Sequence, residues 1–341
     1  MKNILFLCVF SFISAAVTAQ TTYSYNEIHK ISEGGTLHLS SNDADVTILG
    51  TNRSDVSVEI LRKAKGNIAK NQKFYFDVEE QGGDLYVTEV REGNNTTFIG
   101  YLNIQKYTIK IHLPHNVKLD IEGDDDDYDI TGINGDIKME TEDGEIVIYD
   151  CASPRLNIKA DDANIALANL NTEFKTRFED GEINIHNCEL PLLDLVMDDG
   201  DLNFKNGHSV DTKIKTADGD IYLNEVKGDL ELVLDDGDAY INELWSQNVD
   251  IKGYDGNVEI GVHLNADSNY KIKMDDGDID INLLSGGGKI EIRCDDGNIN
   301  ARSNAYDYIT DEDHYKLLET KIIGTARMDI RIEDGDVRLT Q

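Results

Sequence analysis

The sequence predicts an all-β fold, a parallel β-solenoid in which the two strands of each short coil stack on their counterparts in the next. The main observation is a tetrapeptide that recurs ten times, in which Asp precedes a central residue that is Gly in nine copies and Ala in one. The centres are Gly144, Ala163, Gly181, Gly200, Gly219, Gly237, Gly256, Gly277, Gly297 and Gly335. The spacing of successive centres is nearly constant from Gly144 to Gly297, and the last step, to Gly335, spans two periods. A fixed period of this length is typical of a solenoid.

Alternating apolar residues flank each centre. Two and four residues after it stand pairs such as Ile183 and Ile185, and before it stand trios such as Leu230, Leu232 and Leu234. The intervening residues are mostly polar, so both flanks alternate with period two, which predicts strands with one buried face. Each coil of about 19 residues is therefore strand, Asp-Gly corner, strand and second corner, and equivalent strands form two sheets around a thin apolar core. Gly at the corner suits a tight turn with positive φ.

The first segment has the features of a secretory leader. Residues 1–19 contain Lys2, an apolar run from Ile4 to Val17, and Ala19 before Gln20. This run is too short to span a membrane, so we expect a cleaved signal peptide. The sequence thus predicts an exported protein, in the periplasm, at the cell surface or outside the cell, that is not integral to a membrane.

The N-terminal part is β-rich but lacks the regular spacing. Residues 20–122 are predicted to form irregular first coils and a β cap, since a bare terminal coil would expose core and strand edges. Asn42 to Ile48 is similar to a degenerate corner. The cationic segment from Arg62 to Lys73 is expected to be a loop, and Gly93 to Gly100 another.

The regular coils are predicted to occupy residues 123–302. Residues 303–322 follow as an insertion, in which Thr310 to Leu318 is expected to begin a short helix with an acidic first turn. Residues 323–341 supply the final coil, which only the insertion could cap.

Three cysteines remain after the leader, and we expect them to be buried thiols. Cys151 and Cys188 each lie seven residues after their centre, in one core column two coils apart. That separation is about 9–10 Å, beyond the reach of a disulfide. Cys294 shares another column with Met197 and Leu234. The single tryptophan, Trp245, is expected to pack in the core or at a corner.

The chain resembles a bacterial adhesin-like domain family of unknown function, whose repeats are commonly Ser-Gly-Asp-Ile. The matching pieces are Gly219-Asp220-Ile221 and Gly277-Asp278-Ile279, and the segment from Tyr107 to Pro114 is similar to the strand that precedes the family's repeats. The resemblance covers residues 34–341 and implies an exported, adhesin-like β-solenoid without a demonstrated reaction. Here Asp replaces the Ser before the Gly, which raises the negative charge.

The Asp residues before the corner glycines suggest a cation-binding edge. Stacked coils would align them about every 4.8 Å, a spacing at which two unit charges repel by about 1 kcal/mol in water. Carboxylates near backbone carbonyls suit Ca²⁺, so the candidate ligands form one ladder. These candidates are Asp199, Asp218, Asp236, Asp276 and Asp296. The alternative is that each Asp accepts a local hydrogen bond in its turn and needs no cofactor.

The formal net charge of −34 argues against nucleic acid as a partner. Catalysis is not expected, because carboxylates occur everywhere and none stands out as an acid or base of a polysaccharide-acting β-helix enzyme. Tyr222 and Tyr240, facing outward in consecutive coils, suggest a small sugar-stacking platform that Asn203 and Glu259 interrupt. We therefore expect a structural or binding surface, with an envelope protein, a glycan or a second copy as partner.

Overall fold

The computed structural model describes residues 19–66, 73–92, 102–301, 306–322 and 324–341. Within these ranges the chain forms β-strands and no α-helix, so none of its described segments is a helix long and apolar enough to cross a membrane. The predicted leader, up to residue 18, and the predicted loop Gly93–Gly100 lie outside them.

The strands are β1 (Ala19–Lys30), β2 (Thr36–Ser40), β3 (Asp45–Thr51), β4 (Asp55–Gly66), β5 (Lys73–Gln81), β6 (Asp84–Glu92), β7 (Leu102–Pro114), β8 (Lys118–Glu122), β9 (Asp127–Thr131), β10 (Ile137–Tyr149), β11 (Arg155–Ala168), β12 (Asn171–His186), β13 (Glu189–Lys205), β14 (His208–Asp218), β15 (Ile221–Asp236), β16 (Ala239–Leu244), β17 (Asn248–Asp255), β18 (Val258–Leu264), β19 (Asn269–Asp276), β20 (Ile279–Gly286), β21 (Gly288–Asp296), β22 (Ile299–Asn300), β23 (Tyr306–Glu312), β24 (Tyr315–Thr320), β25 (Ala326–Asp334) and β26 (Val337–Thr340).

Equivalent strands of neighbouring repeats pair in parallel. β10 pairs with β11, β11 with β12 and β12 with β13, so that Gly144 lies opposite Ala163 and Gly181 opposite Gly200. The Asp-Gly corners therefore stack along one edge, as the spacing predicts. The predicted all-β fold with long repeated strands is confirmed.

The core is built from the alternating apolar residues. Ile183 and Ile185 are buried while Asn184 between them is exposed, and their partners in the preceding repeat, Ile165 and Leu167, are buried as well. Burying one such side chain stabilises the fold by about 1.5–3 kcal/mol. The strand alternation thus gives each repeat its share of one continuous apolar interior.

The corner position requires glycine for two reasons, the backbone φ angle and the close approach of the neighbouring repeat. Gly277 has φ +115°, and a Cβ built on it would lie 1.9 Å from the carbonyl oxygen of Gly256 in the preceding repeat. A side chain would therefore be strained by its own backbone and would also push two repeats apart. Ala163 avoids the first problem because its φ is not positive.

The N-terminal repeats do not stack in chain order. β2 pairs in parallel with both β6 and β8, and β3 pairs with both β7 and β9. The repeat β2–β3, which contains the degenerate corner at Asn42–Ile48, thus lies between β6–β7 and β8–β9. β6 and β7 are nearer to the N-terminal end of the stack. β5 then covers β6, while β4 covers β7 and β1 covers β4, all antiparallel. The predicted loop at Arg62–Lys73 begins and ends as strand, since Arg62 is in β4 and Lys73 in β5.

The C-terminal repeats also leave chain order. β25 pairs in parallel with β19 on one side and with β21 on the other, and β26 likewise lies between β20 and β22. The expectation that the final repeat stands at the end of the stack is therefore wrong. It is inserted between two repeats that precede it in sequence, and β21–β22 form the terminal repeat.

The predicted helix at Thr310–Leu318 is also wrong. β23 and β24 form an antiparallel hairpin, and β24 pairs antiparallel with β21, where Leu318 lies opposite Ile290. Tertiary contacts outweigh the local helix propensity of this segment. As a strand it supplies the hydrogen-bonding partner that the edge of β21 needs, and it fully buries Leu318. The insertion thus caps the stack, although as strand.

The three cysteines are buried and free, as expected. Cys188 takes part in no disulfide, and its thiol lies 3.3 Å from the backbone oxygen of His186. Burial raises the pKa of this thiol, which favours the neutral form.

Candidate functional site

The predicted ladder of carboxylates is an exposed column. Asp199 lies opposite Asp218, which lies opposite Asp236 in the next repeat. Asp276 and Asp296 are not neighbours, because Asp334 of the inserted repeat separates them. All five predicted side chains are exposed, and within residues 102–301 and 324–341 the structure shows no hydrogen bond or ion pair to them. Partial desolvation, and then the neighbouring carboxylates of the column, raise the pKa of Asp180.

The residue after the glycine, not the one before it, makes the structural hydrogen bonds. The backbone N–H of Asp238 donates to Asp220 Oδ1 at 3.0 Å, and the N–H of Asn257 donates to Asp238 Oδ1 at 2.8 Å. The same bond joins the inserted repeat, since Asp336 N–H donates to Asp278 Oδ1 at 2.9 Å. This series explains why Asp or Asn follows the glycine in the repeats from Asp201 to Asp336, because each offers a side-chain acceptor to the backbone of its neighbour.

The alternative expectation, that the Asp before the glycine accepts the hydrogen bond of its turn, is therefore wrong, because the residue after the glycine is the acceptor. The Asp before the glycine is left free to face solvent or a cation. No group of three or more His, Cys, Asp or Glu side chains among the described residues is arranged to hold a metal ion. The cation-binding prediction remains a prediction.

The flat face formed by the first strand of each repeat carries a row of cations. Lys252 lies opposite Lys273, which lies opposite Arg331, and Arg331 lies opposite Arg293. Each forms an ion pair with an acid two residues away on its own strand. These acids are Asp250, Asp275, Asp329 and Glu291. Exposed pairs of this kind contribute little stability, but they leave this face locally neutral.

The predicted tyrosine platform has a different geometry. The rings of Tyr222 and Tyr240 stack on each other, with centroids 4.8 Å apart and planes within 7°. Each phenol donates to the Asp two residues before it, at 3.3 Å to Asp220 and 2.8 Å to Asp238. The stack occupies one face of each ring, so the two rings do not lie side by side as one flat platform.

A second aromatic group lies at the opposite edge, where the second corners stack. Trp245 is 38% exposed, and its ring stacks on His263 with centroids 3.4 Å apart and planes within 12°. Leu284, 40% exposed, follows in the next repeat. We call the set formed by Glu243, Trp245, His263, Leu284 and Ser285 the Trp245 edge. Trp245 thus lies at a corner, one of the two places expected for it, and not in the core.

Hydrogen bonds hold the Trp245 edge in place. The backbone N–H of Trp245 donates to the oxygen of Val226 at 2.8 Å, and its indole N–H donates to Glu243 Oε2 at 3.2 Å. His263 Nδ1 lies 2.7 Å from Ser285 Oγ, and its Nε2 lies 3.7 Å from Glu243 Oε2. The edge therefore combines a fixed aromatic ring, an exposed aliphatic side chain, a carboxylate and a hydroxyl.

Sequence reasoning missed this edge because its members do not share one position in the repeat. The pairing shifts register between Ile241 and Leu244, and again between Val262 and His263. These irregularities bring Trp245 onto His263 rather than onto Leu264. The available signal was that the only tryptophan of the chain stands at a second corner.

A buried polar cluster distinguishes the N-terminal repeats. Asp126, at the position that glycine holds elsewhere, is 0% exposed, and its carboxylate accepts bonds from the Ala44 N–H at 2.7 Å and from the hydroxyls of Ser41 and Tyr128 at 3.2 Å. Burial raises the pKa of Asp126 to about 6, although these hydrogen bonds oppose the shift. Gly123 leaves room for the cluster, since a Cβ there would lie 2.2 Å from the Tyr128 hydroxyl.

Fold and site together define a class, an all-β repeat protein with an acidic edge and an aromatic edge. The chain belongs to the Toastrack DUF4097 family, whose model matches residues 35–229 and 224–340. A comparison with curated proteins finds no match.

Several solved structures are similar to the chain at low identity. A candidate adhesin from Parabacteroides merdae is 12% identical, with a TM-score of 0.40, and the match covers 94% of this chain and 96% of that one. A candidate cell-adhesion protein from Clostridium sporogenes is also 12% identical, with a TM-score of 0.24, and covers 94% and 100%. A candidate lipid-binding protein from Parabacteroides distasonis is 14% identical, with a TM-score of 0.29, and covers 76% and 93%.

Proposed function

We propose that this protein is an exported, adhesin-like binding protein of the cell envelope, and that the Trp245 edge contacts its partner. Its scaffold is a flattened two-sheet parallel β-solenoid, whose repeat is an Asp-rich variant of Ser-Gly-Asp-Ile with a constant short period. Residues 1–19 serve as the cleaved leader. The protein acts by binding and not by turnover.

The exposure of Trp245 carries the proposal. An indole ring is a large apolar surface, and leaving it in water is a cost that partner binding would remove. Its position is fixed by the stack on His263 and by two hydrogen bonds, so binding would lose little side-chain entropy.

The chemistry of the edge favours a neutral glycan. A sugar offers C–H groups to an aromatic or aliphatic surface, here Trp245 and Leu284, and hydroxyls that donate to an acceptor such as Glu243. An acidic sugar would meet the Glu243 carboxylate and the overall charge of −34, both of which repel it.

The single tryptophan makes the test direct. Titration of the full mature chain with a panel of neutral and acidic oligosaccharides should change the tryptophan emission for one or more neutral members. Trp245→Ala should weaken binding of that oligosaccharide, followed by calorimetry, at least tenfold, which corresponds to about 1.4 kcal/mol.

Tyr254→Ala is the matched control, because Tyr254 is an exposed aromatic residue outside the Trp245 edge. It should bind as the wild type does. If Trp245→Ala melts like the wild type and binds the oligosaccharide equally well, the Trp245 edge is not the binding site.

A second function is favoured by the exposed Asp column. Because Asp199, Asp218 and Asp236 stack without hydrogen-bonding partners in the described chain, a cation between them would relieve their repulsion. We propose Ca²⁺ as that cation. Added Ca²⁺ should raise the melting temperature above the value in EDTA, and by more than Mg²⁺ or a monovalent salt of equal ionic strength. Equal shifts for all three salts would indicate screening alone.

A further inference from the structure

The two ends of the stack expose unpaired strand edges. At the N-terminal end β1 pairs only with β4, and at the C-terminal end β23 pairs only with β24, among the strands that the structure describes. An unpaired edge presents backbone donors and acceptors to any strand that can reach it. Apolar side chains accompany both edges, since Ile28 on β1 is 66% exposed and Ile309 on β23 is 51% exposed.

The N-terminal edge carries lysines without acidic partners. Lys63 and Lys65 of β4 lie opposite Thr22 and Gln20 of β1, and Lys63 lies opposite Lys106 of β7. No ion pair to these three lysines is present among the residues that the structure describes, whereas Lys252, Lys273, Arg293 and Arg331 of the flat face are paired. In a chain of net charge −34, this cluster is a local exception.

The C-terminal edge has the opposite charge. Residues 306–322 hold five acids and two lysines, so that 2 − 5 gives a net charge of −3. Asp307 and Glu312 lie at opposite parts of β23, and Glu312 forms no ion pair within the described chain. A second copy therefore offers, at its far end, an acidic edge strand of the kind that the lysine cluster would attract.

We propose that copies of this chain associate head to tail, with the edge of β1 and its lysine cluster pairing with the acidic edge of β23 in the next copy. β1 belongs to the row of stacked strands that contains β3, whereas β23, through its pairing with β24 and of β24 with β21, belongs to the row that contains β2. Because the two edges belong to different rows, successive copies are rotated about the long axis. Because the two edges lie at opposite ends of the stack, each added copy extends the assembly along the stack axis, and the contact gives a linear filament. This self-association is independent of any partner bound at the Trp245 edge.

The test uses charge reversal at each end of the mature chain. The first variant carries Lys63→Glu and Lys65→Glu, and the second carries Asp307→Lys and Glu312→Lys. In sedimentation velocity the wild type should form larger species as concentration rises, less so at about 500 mM salt than at about 50 mM salt. Each variant alone should stay monomeric, because its two ends then carry the same sign.

An equimolar mixture of the two variants should associate again, since each end of one variant then meets an end of opposite charge on the other. This result distinguishes a specific end-to-end contact from loss of folding, which mixing would not repair. Lys175→Glu with Lys213→Glu, the same charge change on the flat face, is the control and should associate as the wild type does. A monomeric wild type, or a mixture that remains monomeric, would overturn the proposal.

Discussion

Replacement of Asp126 by Asn should remove a pH-dependent part of the stability. The carboxyl group is fully buried, and its pKa rises from 3.8 to about 6 in the folded chain. A raised pKa means that the folded state holds the proton more tightly than the unfolded state. The contribution of Asp126 is therefore most favourable below about pH 4 and is lost as the pH rises through about 6.

The size of this change in the free energy of unfolding follows from the raised pKa of Asp126. About two pKa units at about 1.4 kcal/mol each give up to about 3 kcal/mol between pH 4 and pH 7.5. Asn keeps an oxygen that can accept from the Ala44 N–H and does not ionise. The variant should therefore gain about 3 kcal/mol in free energy of unfolding, relative to wild type, as the pH rises over this range.

Urea unfolding at constant ionic strength, repeated across this pH range, measures the difference. Asp199→Asn is the matched control, since it removes one exposed charge and should show only the small effect of that single loss. A difference between Asp126→Asn and wild type that does not change with pH would refute the reasoning.

Three further outcomes test the stack itself. Gly277→Ala should lose about 2 kcal/mol or more in thermal or urea unfolding, because its φ of +115° and the close approach of the preceding repeat both exclude a Cβ. In EDTA, Asp238→Ala should lose about 1–2 kcal/mol because it removes the acceptor for the next repeat, while Asp236→Ala should be neutral or stabilising because it removes a repelling charge. Equal losses would contradict the assignment of the hydrogen bonds. A chain that stops at residue 322 should keep Cys294 unreactive towards a thiol reagent, because β21 can then occupy the place of β25 beside β19; labelling of Cys294 in this chain would contradict the equivalence of the two strands.

The sequence was most informative where one residue type has one structural role. Glycine preceded by Asp located the corners, since positive φ and close stacking exclude other side chains at positions such as Gly277. Alternation of apolar residues located the strands because a one-residue slip would turn Ile183 and Ile185 to the solvent. The cysteines at core positions were predictable for the same reason.

The order of the repeats was not predictable from the pattern. β22 and β26 present the same alternation, as in Ile299-Asn300 and Val337-Arg338, so either would satisfy the slot beside β20. The connection through β23 and β24 determines which of the two strands lies beside β20. β24 pairs with β21, a long-range contact that the repeat pattern does not reveal. The Trp245 edge was not predicted for a related reason. Register shifts in the second corners remove the sequence periodicity that would have aligned its residues.

The inserted C-terminal repeat makes completion of the fold depend on the end of the chain. Asp276 pairs with Asp334 of the last repeat, although Asp296, in the very next repeat of the sequence, also precedes a corner glycine and is made earlier. During synthesis β21 can therefore occupy the place of β25 before β25 exists, and this off-by-one stack must open before the native one closes. The C-terminal end should thus fold more slowly than the middle repeats, because the off-by-one stack is a kinetic trap. The rate of escape from this trap determines when the hairpin β23–β24 reaches its final position.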